Sequence, residues 1–166
     1  MIFSKKSLGQ NFLTDKNIID LIVDIGNINE NSEIIEVGPG NGSLTKKIIE
    51  KKPKNFIAIE KDEKLVELLN KKFKNNVKII NEDMMKISYE NYLKRDTIIF
   101  GNLPYNISTQ ILAKWIKLKN IDKICKKLIL MFQKEVADRI IAKFNSKYYG
   151  RLSILANWKL NIKKIF

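Results

Sequence analysis

Short apolar runs alternate with longer amphipathic segments along most of this chain. Apolar runs of strand length occur near residues 34–37, 56–60, 77–80, 97–100, 127–132 and 152–158. Segments with helical spacing lie near 16–25, 43–52, 62–73, 108–118 and 133–144, with a weaker helical pattern over 86–95. This alternation predicts a doubly wound, mostly parallel α/β sheet in one domain over residues 1–166. Residues 1–10 are expected to form a basic arm, and Thr14 or Asp15 to cap the first helix.

The turn after the first predicted strand is rich in glycine. Residues 34–37 are followed by Gly38-Pro39-Gly40-Asn41-Gly42 and then by a helical pattern. Glycines at such a turn allow the main chain to approach a ligand closely. The Gly-x-Gly-x-Gly spacing differs from the Gly-x-Gly-x-x-Gly of nicotinamide and flavin binders. Gly38 could also be a plain left-handed turn, and Glu36 could orient the loop through main-chain N–H groups.

Acidic residues stand at the ends of the next two predicted strands. Glu60 ends the second strand, and Asp83 follows the third. At this edge of an open α/β sheet, Glu60 can accept hydrogen bonds from ribose hydroxyls, and Asp83 can accept from an adenine amino group. Because Glu60 lies at a strand tip, we expect it to contribute little to the core. Together with the glycine loop, these residues predict a Rossmann-like methyltransferase fold with S-adenosylmethionine as cofactor.

An Asn-Leu-Pro-Tyr box, residues 102–105, follows the fourth predicted strand. An amino group on a purine ring is a poor nucleophile because its lone pair is delocalised into the ring. The side-chain carbonyl of Asn102 and the main-chain carbonyl of Leu103 can accept its two N–H groups and localise that lone pair. Pro104 stiffens the turn, and Tyr105 offers a surface on which a flipped-out base can stack. The box predicts methyl transfer to adenine N6, although a turn with a core tyrosine would have the same sequence.

Five motifs extend this interpretation: Gly9-Gln10-Asn11-Phe12-Leu13, Glu36-Val37-Gly38-Pro39-Gly40, Gly101-Asn102-Leu103-Pro104-Tyr105-Asn106-Ile107-Ser108-Thr109, Gln133-Lys134-Glu135-Val136 and Tyr149-Gly150-Arg151-Leu152-Ser153. From about Lys6 to Trp158 the chain resembles the ribosomal RNA adenine N6-dimethyltransferases. The resemblance implies S-adenosylmethionine contacts at Asn11, Leu13, Gly38, Glu60, Asp83 and Asn102. It implies target-adenine contacts at Asn102, Leu103, Pro104 and Tyr105. Read alone, Asn11 and Leu13 belong to a turn that tucks onto the core.

Within that family, the resemblance is nearest to members that act on the small ribosomal subunit. It implies N6-dimethylation of two adjacent adenosines in a hairpin loop near the 3′ end of 16S rRNA, during small-subunit biogenesis. The expected partner is the small subunit, and the protein is expected to be a monomer. Family members continue into a helical C-terminal domain, which this chain does not include. The alternatives are a large-subunit dimethylase of the macrolide-resistance (Erm) type, a DNA adenine methyltransferase, and an RNA-binding assembly factor without catalysis.

Composition narrows the function further. The formal net charge is +13, from 31 basic and 18 acidic residues, which suggests a nucleic-acid partner. Lysine dominates the basic residues, so Arg139 and Arg151 are the more specific candidates for RNA phosphate contacts; ion pairs with Glu135 or Asp138 are the alternative. The chain has no histidine and one cysteine, which argues against an imidazole base, a zinc site and an internal disulfide. No apolar run reaches the ~18 residues of a membrane span, and we expect a cytoplasmic protein.

Overall fold

The computed structural model describes residues 12–166 and contains a parallel sheet with helices on both faces. The strands are β1 (Glu33–Val37), β2 (Asn55–Glu60), β3 (Lys78–Asn81), β4 (Thr97–Asn102) and β5 (Cys125–Met131). The helices are α1 (Lys16–Gly26), α2 (Ser43–Glu50), α3 (Glu63–Lys72), α4 (Ser108–Lys117), α5 (Ile121–Ile124), α6 (Lys134–Ile140) and α7 (Arg151–Lys159). The predicted doubly wound α/β fold is therefore confirmed. The Asn11 contact and the basic arm lie outside the described residues.

The strand order is β3-β2-β1-β4-β5, and every neighbouring pair is parallel. The order reverses direction between β1 and β4, and open α/β sheets bind ligands at such a switch point, beyond the carboxyl ends of the strands. The register brings these ends level, since Val37 lies opposite both Ile59 and Gly101. Residues that directly follow β1, β2 and β4 must therefore meet at one edge of the sheet.

Alternate residues of β1 enter the two apolar layers that hold the sheet between its helices. Ile35 packs in the layer that includes Trp115 of α4, whereas Ile34 packs in the layer that includes Ile22 of α1 and Ile48 of α2. All five side chains are at most 3% exposed. A strand covered on both faces reads as a continuous apolar run, which is why β1 and β4 could be recognised in the sequence.

The start of α1 confirms one of the two predicted caps. Oδ1 of Asp15 accepts hydrogen bonds from the main-chain N–H groups of Asn17 at 2.9 Å and Ile18 at 3.2 Å. These donors have no partner within the helix, so the carboxylate satisfies them. Among residues 12–166, no helix is long and apolar enough to cross a membrane.

The predicted strand over 152–158 is wrong, because this segment is helix α7. Its fully buried residues, Ser153 and Ala156, are three apart, while Ile154 and Trp158 are 55% and 66% exposed. That burial follows a helical period rather than the alternation of a strand, and a short apolar run cannot distinguish the two. Arg151 therefore begins a helix. The predicted helix over 133–144 ends earlier, at Ile140, and the weak pattern over 86–95 contains one 3-10 turn, Tyr89–Asn91.

Candidate functional site

A cavity of about 240 Å³ lies beyond the carboxyl ends of β1, β2 and β4. The predicted residues that line it are Leu13, Gly38, Glu60, Asp83, Asn102 and Pro104. The structure therefore brings together residues from the set expected to contact S-adenosylmethionine and from the set expected to contact the target adenine. Leu103 does not line the cavity, since its side chain is buried in the core, and Tyr105 lies outside it with 37% exposure.

The glycine loop adopts the backbone that its residues suggested. Gly38 and Gly40 have φ angles of +72° and +59°, in the left-handed region that favours glycine. A Cβ atom on Gly40 would lie 2.9 Å from the ring of Phe12, which also lines the cavity. Gly38 is thus a left-handed turn and a cavity residue at once, so the two interpretations of its sequence do not exclude each other.

Glu60 holds this loop in place. Its Oε2 accepts a hydrogen bond from the N–H of Gly40 at 3.2 Å. Its Oε1 accepts from the N–H groups of Lys61 at 2.9 Å and Asp62 at 3.0 Å. Glu60 is only 6% exposed, and burial raises its pKa, against the lowering effect of these main-chain donors. The sequence suggested that Glu36 orients the loop, but the structure shows Glu60 accepting from a loop N–H group.

Glu36 is buried beneath the loop with a different partner. Its Oε2 accepts a hydrogen bond from the hydroxyl of Thr45 at 2.7 Å, and both side chains are at most 2% exposed. Burial raises the pKa of Glu36 to about 8; the Thr45 hydrogen bond opposes this rise, and the nearby Glu60 adds to it. A carboxyl with this pKa is mostly protonated at neutral pH.

Asp83 contributes an ionised carboxylate to the cavity. Its Oδ2 lies 2.9 Å from Nζ of Lys61, and its Oδ1 accepts from the N–H of Met85 at 2.8 Å. The Lys61 ammonium is the main reason that the pKa of Asp83 is held below its usual value. Lys61 also lines the cavity. Sequence reasoning missed it, and its position directly after Glu60 was the available signal.

Helix α4 fixes the loop that carries Asp83. Nζ of Lys114 donates hydrogen bonds to the carbonyls of Met85 at 2.9 Å and Ile87 at 2.6 Å. The Tyr89 hydroxyl donates to the Met84 carbonyl at 2.9 Å, and the Tyr89 ring packs edge-on against Trp115 of α4. The loop that carries Asp83 and the helix that follows the Asn-Leu-Pro-Tyr box are therefore joined by direct contacts. Nothing in the sequence pointed to this link.

The Asn-Leu-Pro-Tyr box joins the end of β4 to the start of α4. Asn102 is the last residue of β4 and lines the cavity. The Pro104 carbonyl accepts from the N–H of Ile107 at 3.1 Å, which closes a turn before α4 begins. Tyr105 is 37% exposed, so the alternative of a core tyrosine is wrong. The box thus places an amide at the cavity and an accessible aromatic ring beside it.

The two candidate RNA-contact arginines lie elsewhere. Arg139 in α6 and Arg151 at the start of α7 line a second cavity and contribute nothing to the first. The suggested pairing with Glu135 or Asp138 is also wrong for residues 12–166, because Asp138 pairs with Lys164 at 3.4 Å and neither arginine forms a salt bridge there.

Comparison with known proteins shows which proteins this chain is similar to. A family model described as ribosomal RNA adenine dimethylase matches residues 2–166. The chain is 54% identical over 162 residues to ribosomal RNA small subunit methyltransferase A of Pelagibacter ubique. The matched region covers 98% of this chain and 62% of that relative. The chain thus spans about three fifths of the relative's length.

Two solved structures share the fold. A dimethyladenosine transferase from Plasmodium falciparum matches with a TM-score of 0.78 and 29% identity, over 89% of this chain and 52% of that chain. The 23S rRNA methyltransferase ErmE matches with a TM-score of 0.70 and 23% identity, over 88% of this chain and 55% of that chain. The fold is therefore the Rossmann-like fold of methyltransferases.

Proposed function

This chain belongs to the ribosomal RNA adenine dimethylase family, and from that premise we propose that it uses S-adenosylmethionine to dimethylate N6 of two adjacent adenosines. The adenosines lie in a hairpin loop near the 3′ end of small-subunit rRNA. The protein acts as a monomer in the cytoplasm, on the small ribosomal subunit. The observation that carries the proposal is the meeting of Glu60, Asp83 and Asn102 at one cavity. The choice of subunit is supported by the 54% identity to a relative that is named ribosomal RNA small subunit methyltransferase A.

The cavity suits a cationic nucleoside better than a dinucleotide. In dinucleotide-binding folds, main-chain N–H groups at the glycine loop bind the pyrophosphate. Here the N–H of Gly40 donates to the Glu60 carboxylate, and that carboxylate would repel a phosphate placed beside it. S-adenosylmethionine has no phosphate and carries a positive sulfonium, so the charge of the cavity complements it.

Each part of the cofactor has a candidate partner. Three main-chain donors occupy Glu60; a carboxylate has about four acceptor positions, so Glu60 can accept one ribose hydroxyl without releasing the loop. Asp83 would accept from the adenine amino group, beside or in place of Lys61. The remaining proposed contacts are Asn11, Leu13, Gly38 and Asn102.

The protein's contribution to the reaction is positioning and electrostatics. When bound, S-adenosylmethionine supplies a methyl group already activated by its sulfonium. The target adenosine leaves its stack, and the exposed ring of Tyr105 receives it. The side-chain carbonyl of Asn102 and the main-chain carbonyl of Leu103 accept its two N–H groups, which localises the lone pair on N6. Leu103 is 1% exposed and Pro104 restricts the turn, so these acceptors are held ready. The N6 proton passes to solvent or to a carbonyl of the box.

The decisive experiment supplies methyl-labelled S-adenosylmethionine with separated small and large subunits from a strain that lacks this modification. We expect label in small-subunit rRNA, as N6,N6-dimethyladenosine at adjacent positions. The longer Pelagibacter ubique relative, assayed in parallel, is the positive control. Preferential label in the large subunit would refute the substrate. Normal cofactor binding with no transfer to either subunit would favour a non-catalytic assembly factor.

A further inference from the structure

A second cavity, of about 250 Å³, lies where α6 ends and α7 begins. The side chains that line it are mainly cationic or aromatic: Arg139, Lys147, Tyr148, Tyr149 and Arg151. We propose that it binds one unpaired nucleotide of the substrate RNA, outside the two target adenosines, with the arginines on its phosphate and a tyrosine against its base. The assignment to RNA rests on the proposed function, but the site is separate from the cofactor cavity.

The cations around this cavity are not neutralised by a carboxylate from the described part of the chain. Among residues 12–166, none of those that line the cavity is acidic. Within residues 12–166, Arg139, Lys147 and Arg151 take part in no salt bridge, and the acidic neighbour Asp138 is paired with Lys164. Like charges held together attract an anion. Guanidinium groups bind phosphate oxygens in a two-pronged geometry that lysine cannot provide.

The backbone that carries the two arginines is rigidly joined. The hydroxyl of Ser153, which is fully buried, donates to the Arg139 carbonyl at 2.7 Å and accepts from the N–H of Gly150 at 3.3 Å. One side chain thereby ties the end of α6 to the start of α7, where Arg151 stands. The main-chain positions of the two arginines are therefore fixed relative to each other before a ligand arrives, which lowers part of the entropic cost of binding.

The aromatic residues are accessible and supported. Tyr148 and Tyr149 are 45% and 38% exposed. The Tyr149 ring packs edge-on against Phe144 with 5.7 Å between centroids, and Nζ of Lys147 lies 4.9 Å from the centroid of Tyr148. Accessible aromatic rings next to cations are the pattern by which proteins hold single-stranded nucleic acid, with bases on the rings and phosphates on the cations.

The cavity lies on the side of the sheet that carries the target-base box. Ile140 of α6 and Ala156 of α7 pack against Leu112 and Ile116 of α4, and α4 begins shortly after the box. The cofactor residues Glu60 and Asp83 belong instead to the β2–β3 side. An RNA loop that presents an adenosine at the box can therefore extend over α6 and α7 without crossing the cofactor cavity.

The test measures binding of a fluorescently labelled hairpin RNA with two adjacent loop adenosines. We expect Arg139→Gln and Arg151→Gln each to weaken binding about tenfold and to reduce the salt slope by about one. Arg95→Gln is the matched control, because it removes the same charge from a side chain that is 89% exposed and lines neither cavity. Its effect should stay below about twofold. Equal losses in all three variants would overturn the proposal, since binding would then follow overall charge.

Two further measurements locate the base. Ultraviolet crosslinking of the wild-type complex should attach RNA to the tryptic peptide 148–151, which contains both tyrosines; crosslinks confined to other peptides would overturn the site. Tyr149→Leu should weaken binding of the hairpin RNA but leave binding of a fully paired duplex of equal length unchanged. Equal losses of affinity for both RNAs would overturn the stacking assignment.

A cofactor titration separates this proposal from the proposed function. S-adenosylmethionine affinity should be unchanged in every variant, which also reports that the variants are folded. If the wild-type protein binds cofactor but methylates no rRNA, the proposed function fails while the arginine effects on hairpin binding still decide this site. If a polyglutamate peptide of equal charge displaces the hairpin as well as unlabelled hairpin does, the nucleotide assignment is wrong.

Discussion

Replacing Glu60 with alanine tests the cofactor site most directly. The carboxylate accepts hydrogen bonds from the N–H groups of Gly40, Lys61 and Asp62 and is 6% exposed. A buried donor left without a partner costs roughly 1–3 kcal/mol. We expect Glu60→Ala to lower the free energy of unfolding by about 2 kcal/mol, less than the sum of three penalties because water can reach part of the loop. The burial of Glu60 and its three hydrogen bonds differ from the expectation that it contributes little to the core.

The same change should also weaken cofactor binding. The variant loses the acceptor for a ribose hydroxyl and the anchor that holds Gly40 in place. We expect S-adenosylmethionine affinity to fall by roughly 1.5–3 kcal/mol, on the order of 10- to 100-fold. Isothermal titration measures this loss, and chemical denaturation measures stability on the same samples.

Two variants make the Glu60 result interpretable. Glu63→Ala removes an exposed carboxylate in the first turn of α3, outside the cavity, and should leave cofactor affinity unchanged. Glu60→Gln retains a side-chain acceptor without the charge and should fall between the wild type and Glu60→Ala. Unchanged affinity in Glu60→Ala would remove Glu60 from the site. An equal loss in Glu63→Ala would show that general charge, rather than contact, controls binding.

Three further predictions follow from the described contacts. Tyr105→Ala removes a stacking surface worth about 1–3 kcal/mol per base; methyl transfer should fall about 10- to 100-fold while cofactor titration is unchanged, and equal loss of both would contradict the stacking role. Burial raises the pKa of Glu36 from 4.5 to about 8. Between these two pH values the folded protein binds more protons than the unfolded chain. The free energy of unfolding should therefore fall as pH rises, by at most about 1.4 kcal/mol per pH unit. Denaturation across this range should show a flatter profile for Glu36→Gln, and an identical slope would refute the assignment. Lys114→Met should weaken cofactor binding about threefold to tenfold, because the Met85 and Ile87 carbonyls lose their donor. Lys117 is exposed on the same helix, and Lys117→Met should leave cofactor binding unchanged.

The sheet and much of the cavity could be predicted because parallel strands impose strong constraints. Strands buried on both faces appear as apolar runs, and their carboxyl ends meet at one edge. Residues that follow such runs, such as Gly38, Asp83 and Asn102, therefore come together without any knowledge of side-chain packing. Helix α7 was predicted as a strand because its apolar run is too short to distinguish a helical from an alternating pattern. Its fully buried residues, Ser153 and Ala156, are small and do not mark the buried face.

The partners of individual side chains could not be predicted. Lys114 and Met85 are 29 residues apart, and no local pattern distinguishes this lysine from the many solvated lysines of the chain. Glu36 and Glu60 are both strand-end carboxylates, yet only the path of the loop decides which of them receives the Gly40 N–H group. Such choices depend on distances of a few tenths of an ångström, which a one-dimensional pattern does not contain.

The charges at the cavity beyond β1, β2 and β4 do not follow the net charge of the chain. The chain carries a formal net charge of +13, yet two carboxylates, those of Glu60 and Asp83, line this cavity. Under the proposed function, a cationic methyl donor would be attracted to these carboxylates. The RNA phosphates would instead lie near Arg139 and Arg151, which form no salt bridge within residues 12–166. In the proposed reaction, transfer would remove the sulfonium charge, so the attraction of Glu60 and Asp83 for the cofactor would be weaker after transfer than before it. These carboxylates would therefore favour binding of the methyl donor over binding of its demethylated product.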